Sequence, residues 1–160
     1  MRPGTPPGGI PRVPKPGAVD GFPPNLIEYA KEVGLKLTRS SVVPCSLPAL
    51  EVAEYAKGQG KFDQFHQAVF KAYWEEAKNI GLRDILLQIA QESGLDTAEV
   101  VSCLDEDRYT TLIKKQSEEA KQSGISGIPA FVIGSYLIEG AQPYSVFQGV
   151  FENARHDVKD

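Results

Sequence analysis

The chain has 160 residues, a formal net charge of −4, 41% apolar residues and 24% charged residues, enough for one domain with its own hydrophobic core. An acidic balance without a Lys/Arg block argues against a nucleic-acid partner. No apolar run approaches the length of a membrane span, and the opening residues read as neither a span nor a secretory signal.

The first 21 residues are dense in proline and glycine. Such a run forms neither a helix nor a central strand, because proline lacks the N–H that both ladders need. It is expected to be a tail or an extended connector draped over a domain. A short helix follows over Asn25–Val33, ended by Gly34, and Leu35–Leu37 reads as a brief extended segment. Ser46 is placed to cap the next helix, with Leu47 and Pro48 in its first turn, running to about Lys57 and stopping at Gly58.

Four helices with 3.6-residue periodicity come next. Phe62, Phe65, Val69, Tyr73 and Ala77 share one face, and Leu82, Ile85, Leu86 and Ile89 share a face of the following helix, which closes at Gly94. Asp96 and Glu99 fit a capping box, and Tyr109, Leu112, Ile113, Gln116 and Ala120 line the helix that ends near Gly124. The period then switches to that of strands. Ala130–Ile133 and Tyr136–Ile138 form a hairpin around Gly134-Ser135, and Gln142-Pro143 opens a last helix with Val146, Phe147, Val150 and Phe151 on its buried side.

Two cysteines, Cys45 and Cys103, stand far apart, and His66 and His156 are the only histidines. This spacing argues against a structural zinc site, and no metal ligand or cofactor is expected. Two unrelated reduced thiols imply a cytoplasmic setting. Cys103, among Val100, Val101 and Leu104, reads as a small apolar filler. Cys45 lies just before a helix, where N–H groups and the helix dipole favour thiolate, so it is the remaining candidate for catalysis. Without a resolving cysteine nearby, an inert thiol is the preferred reading. His66 sits beside Phe62, Phe65 and Phe70 and reads as amphipathic packing, whereas His156 lies in the polar tail. Tyr73 and Trp74 read as core, and Glu75-Glu76 and Glu118-Glu119 as solvated helix faces.

The segment Ser123-Gly-Ile-Ser-Gly-Ile-Pro-Ala-Phe-Val-Ile-Gly-Ser-Tyr-Leu-Ile-Glu-Gly-Ala-Gln-Pro143 carries most of the information. A proline directly before a buried strand marks a specified turn, and Ile128-Pro129 is read as a cis junction. The segment resembles the cis-proline region of thioredoxin-fold oxidoreductases of the DsbA-like, FrnE type. Further points of similarity are Arg2 to Gly9, Pro44-Cys-Ser46, Phe65-His66 to Tyr73-Trp74, and Gly140-Ala-Gln-Pro143. The resemblance implies an α/β thioredoxin-like fold, mostly helical, with an all-helical insertion and with the N-terminal strand–helix portion missing. It divides the chain into a connector and short helix over 1–45, a helical insertion over 46–122, and a cis-proline hairpin with final helix over 123–160.

In that family the cis-proline faces a Cys-x-x-Cys pair, and this chain has none. The resemblance therefore implies a thiol–disulfide oxidoreductase by family, acting on protein or peptide thiols and disulfides, in a truncated form or one without the reacting half. Ile128 and Pro129 would be its substrate-binding residues. In a thioredoxin sheet the hairpin pairs with a central strand absent here, so its open edge is expected to self-associate. An alternative is a relative of glutathione-dependent isomerases and kappa-type glutathione transferases, which would bring glutathione as cofactor. Those enzymes tend to carry a Trp-Gly and an acidic-Arg pattern after the hairpin, where this chain has Glu139-Gly-Ala-Gln-Pro143. A non-catalytic binding remnant is the third reading.

Overall fold

A computed structural model of the chain describes residues 5–13 and 21–157. Residues 1–4 and 14–20 of the expected connector, and the last three of the tail, lie outside the described residues. The elements in order are β1 (Ile10–Pro11), α1 (Pro24–Glu32), β2 (Val42–Val43), α2 (Leu47–Gly58), α3 (Phe62–Trp74), α4 (Arg83–Glu92), α5 (Thr97–Asp105), α6 (Thr110–Gln122), β3 (Ala130–Ile133), β4 (Tyr136–Glu139) and α7 (Tyr144–Asp157). They form two compact units, Met1–Lys115 and Gln116–Asp160, with the boundary inside α6.

The first unit is a helical core. Its centre is α2, which packs on α3, α4 and α5, while α4 also packs on α3 and α5. Periodic apolar positions from these helices meet there: Val52, Phe65, Leu86, Val100 and Cys103 are all fully buried. Burying a large apolar side chain of this kind contributes about 1.5–3 kcal/mol, so this group is the main source of the unit's stability. Glu51 is also buried, and its Oε1 accepts from the Tyr109 N–H at 3.3 Å and the Thr110 hydroxyl at 2.8 Å. A carboxylate there satisfies the N–H just ahead of α6 and lies at the positive end of its dipole.

The connector is draped over this core. Ile10–Pro11 pairs antiparallel with Val42–Val43, an edge pairing that tolerates proline. Asn79 Nδ2 donates to the Gly8 carbonyl at 3.0 Å. Gly81 lets the chain approach closely, because a Cβ there would lie 2.9 Å from the Cys45 carbonyl and 3.1 Å from that of Pro7.

Several local expectations are corrected. Ser46 holds the N-cap position of α2 in a helical conformation, and its side chain makes no capping bond. The end of α2 at Gly58 is as expected, and Gly60 adopts the left-handed φ of 66° beyond it. Ala77 lies beyond α3 with φ 54°, so it does not share that helix's face. Asp96 caps α5 by accepting from the N–H groups of Ala98 and Glu99, but the reciprocal half of the box is missing. The Glu99 carboxylate takes the Arg108 guanidinium instead, at 3.5 Å.

In the second unit the hairpin pairs Ala130 with Glu139, Phe131 with Ile138, Val132 with Leu137 and Ile133 with Tyr136. Gly134 carries the positive φ of 60° that a glycine-first two-residue turn requires. Against expectation α7 has no fully buried residue: Phe147 and Val150 are half-buried, while Val146 and Phe151 are exposed. The helix is held on β3 through an edge-on contact of Phe147 with Phe131, ring centroids 4.9 Å apart. The Tyr136 hydroxyl is hydrogen-bonded to the Asp157 carboxylate, which raises its pKa.

Candidate functional site

The candidate site grows from the entry to β3. After α6 the chain passes Ser126 and Gly127 and reaches Ile128-Pro129, whose peptide bond is cis. Two interactions hold this entry against the end of β4. The Pro129 carbonyl accepts from the Gly140 N–H at 2.8 Å, and the Ser126 hydroxyl donates to Glu139 Oε1 at 3.0 Å, with the Ser126 N–H reaching the same oxygen at 3.4 Å. Gln142 Nε2 donates to the Glu139 carbonyl at 2.9 Å. The backbone on both sides of the proline is thus tied down, and the Ile128 side chain is left 92% exposed.

Strand pleating gives this hairpin two faces. One carries Phe131 and Ile138, with Ile138 buried and Phe131 against α7. The other carries Val132 and Leu137, which pair across the strands and remain 66% and 42% exposed. Among the described residues β3 pairs only with β4. Ile128, Val132 and the second backbone edge of β3 therefore make up an apolar ribbon with hydrogen-bonding groups along it, the kind of surface to which an extended peptide adds as a strand.

The other sequence candidates fall in the first unit. Cys45 is a free, half-buried thiol two residues ahead of α2. Cys103 is free and fully buried in α5, where loss of solvent pushes its thiol pKa up despite the nearby Arg108 guanidinium. It fills space, as its neighbours implied. His66 is exposed on α3, its ring 5.1 Å from that of Phe62 and 4.4 Å from that of Phe70. Among the described residues no cluster of His, Cys, Asp or Glu could hold a metal ion.

Two groups escaped sequence reasoning. Glu51 was not among the candidates, because nothing in its spacing marks it as buried. Arg12 and Arg39 lie in aperiodic stretches, yet both line one cavity with Phe22, Tyr73 and Trp74.

The family model of the DSBA-like thioredoxin domain matches residues 23–152. The chain belongs to the DSBA-like thioredoxin family. It is 32% identical over 122 residues to the uncharacterized protein YwbO of Bacillus subtilis (strain 168), a match covering 74% of this chain and 61% of YwbO. Its fold is similar to the crystal structure of a probable DsbA oxidoreductase from Streptomyces coelicolor, with a TM-score of 0.73 and 25% identity over 82% of this chain and 58% of that one. The chain therefore spans about three fifths of the length of these two relatives. The fold is thioredoxin-like and mostly helical, as the resemblance implied. No described helix is long and apolar enough to cross a membrane.

Proposed function

We propose that this chain supplies the peptide-docking part of a thiol–disulfide oxidoreductase of the FrnE type, acting on protein or peptide substrates in the cytoplasm. The observation that carries the reading is Ile128, 92% exposed and directly ahead of Pro129, at the entry to a strand paired on one edge among the described residues. An extended peptide laid along β3 gains main-chain hydrogen bonds from the open edge and apolar contact from Ile128 and Val132.

The chemistry of such enzymes is an exchange. A thiolate attacks a substrate disulfide sulfur, a mixed disulfide forms and one substrate thiolate leaves; a resolving thiol then displaces the second and closes the enzyme's own disulfide. That sequence needs two neighbouring cysteines. Cys45 and Cys103 are the only cysteines of these 160 residues, one half-buried and one in the core, so the role assigned to this chain is binding and positioning.

Two measurements test the proposal. A labelled, extended cysteine-containing peptide titrated with the chain is expected to give a saturable anisotropy change, weakened about tenfold, or about 1.4 kcal/mol, by Ile128→Asp. Equal binding by the variant, or none by either protein, defeats the docking role. Insulin reduction by dithiothreitol is expected to proceed no faster with the chain than without it; acceleration would place the reaction on Cys45 instead. The exposed ribbon also supports self-association, expected as a concentration-dependent sedimentation coefficient that Val132→Lys abolishes.

A further inference from the structure

The first unit holds a second concave site that peptide docking does not use. Its walls come from separate stretches: Arg12 just past β1, Phe22 and Arg39 on either side of α1, and Tyr73-Trp74 at the end of α3. They line a half-open cavity of about 180 Å³, room for a charged head group and a short apolar stem.

The floor is aromatic. Phe22 is buried, its ring 6.1 Å from that of Trp74, and Tyr73 meets Trp74 edge-on at 4.7 Å. Over this floor stand two cations. The Arg39 guanidinium lies 4.8 Å from the centroid of the Phe22 ring, and Arg12 Nη2 donates to the Tyr73 hydroxyl at 2.6 Å. The loop bearing Arg39 is anchored by the Thr38 N–H, which donates to the Trp74 carbonyl at 2.6 Å.

What the cations lack among the described residues is a counter-charge. Arg83 pairs with Asp105, and Arg108 with Glu99 and Glu106. Among the described residues no carboxylate pairs with Arg12 or Arg39. Arg12 Nε is buried with no acceptor, an uncommon state for a charged donor. Burial, and after it the charge of Arg12, lowers the pKa of Arg39, with Tyr73 acting in the opposite sense. Two like charges beside one apolar cavity repel each other more strongly than they would in water, and an anion between them reverses the sign of that interaction.

We propose that this cavity binds a small organic oxyanion, its carboxylate or phosphate group held by Arg12 and Arg39 and its apolar stem set against Phe22 and Trp74. The planar guanidinium presents paired donors that match both head groups, and the aromatic floor keeps water from screening the contact.

Trp74 is the only tryptophan of the chain, so its emission reports directly on the cavity. The full chain is titrated with inorganic phosphate and with glutarate, using sodium chloride at matched ionic strength as control. A saturable change in emission with at least one of the two is expected, absent with chloride, its midpoint raised tenfold or more in Arg12→Gln and in Arg39→Gln. Saturation by phosphate alone assigns a phosphate-bearing ligand, and by glutarate alone a carboxylate. A chloride-like response to both anions, or midpoints unchanged in both variants, overturns the proposal. If either variant loses its helical circular dichroism, the Arg12 Nε–H resonance of the unaltered protein decides: it is expected to move as the anion saturates, and a stationary signal overturns the site.

Discussion

The two compact units of this chain spend their apolar residues differently. In the first, Val52, Ala56, Phe65, Leu86, Ala90, Val100 and Cys103 from α2 to α5 are wholly removed from solvent and belong to one core cluster. In the second, Ile138 is the one buried apolar side chain among the described residues, while Ile128, Phe131, Val132, Leu137, Tyr144 and Phe151 are all exposed. Both segments are about equally apolar to the eye. The first has used its apolar surface for its own stability, whereas the second has left it open to contact. The docking role proposed above calls for such a division, one part that does not yield and another that is not self-satisfied.

The sharpest way to break this contrast is to empty the rigid core. Phe65→Ala is expected to cost about 3–5 kcal/mol, since the ring is enclosed on all sides and its space cannot collapse fully, read from urea unfolding followed at the helical band. Ile138→Ala should fall near the low end of the range for such truncations, about 2 kcal/mol. Its effect should be local: amide exchange should accelerate in β3 and β4 and stay slow in α2. Equal acceleration in both would mean that the units share one cooperative transition.

Glu51→Ala removes the acceptor for Tyr109 N–H and Thr110 Oγ1 and should cost about 1–3 kcal/mol. Glu51→Gln, which keeps an acceptor oxygen, should cost less; the reverse order would show that the charge matters more than the hydrogen bonds. Asp96→Ala, removing the cap of α5, should cost about 1 kcal/mol in the same unfolding assay.

The smallest effect concerns the thiols. Ellman's reagent should react with Cys45 in the native protein and with Cys103 only after unfolding. Burial raises the Cys103 pKa in the folded state, so the unfolded chain loses its proton first. Stability is therefore full below the ordinary thiol pKa and declines as pH rises through the folded value. Cys103→Ala should flatten this alkaline slope, leaving the part due to Tyr55, whose pKa burial also raises.

Much of this was legible beforehand, for local reasons. The faces of α3 and α4 follow from apolar spacing, and the β3–β4 hairpin from a change of period around Gly134-Ser135. The Asp96 cap follows from side-chain chemistry acting within one turn. The errors also have local causes. Ala77 fits the periodicity of α3, but the helix ends where the Trp74 carbonyl is taken by Thr38, a partner far away in sequence. Glu99 completes a capping box on paper and loses it to Arg108. The amphipathic pattern of α7 shows which face turns inward, but not whether anything covers it.

The amino-acid sequence by itself determined the order of the helices and the late hairpin, the family and the Ile128-Pro129 junction, because periodicity, turn chemistry and motif order act over a few residues. Only the tertiary structure decided that Glu51 is buried, that Ile128 is exposed, and that Arg12 and Arg39 face one aromatic cavity. Burial and charge pairing depend on which distant segments come together, and the aperiodic stretches bearing those arginines hold no local signal of their neighbours.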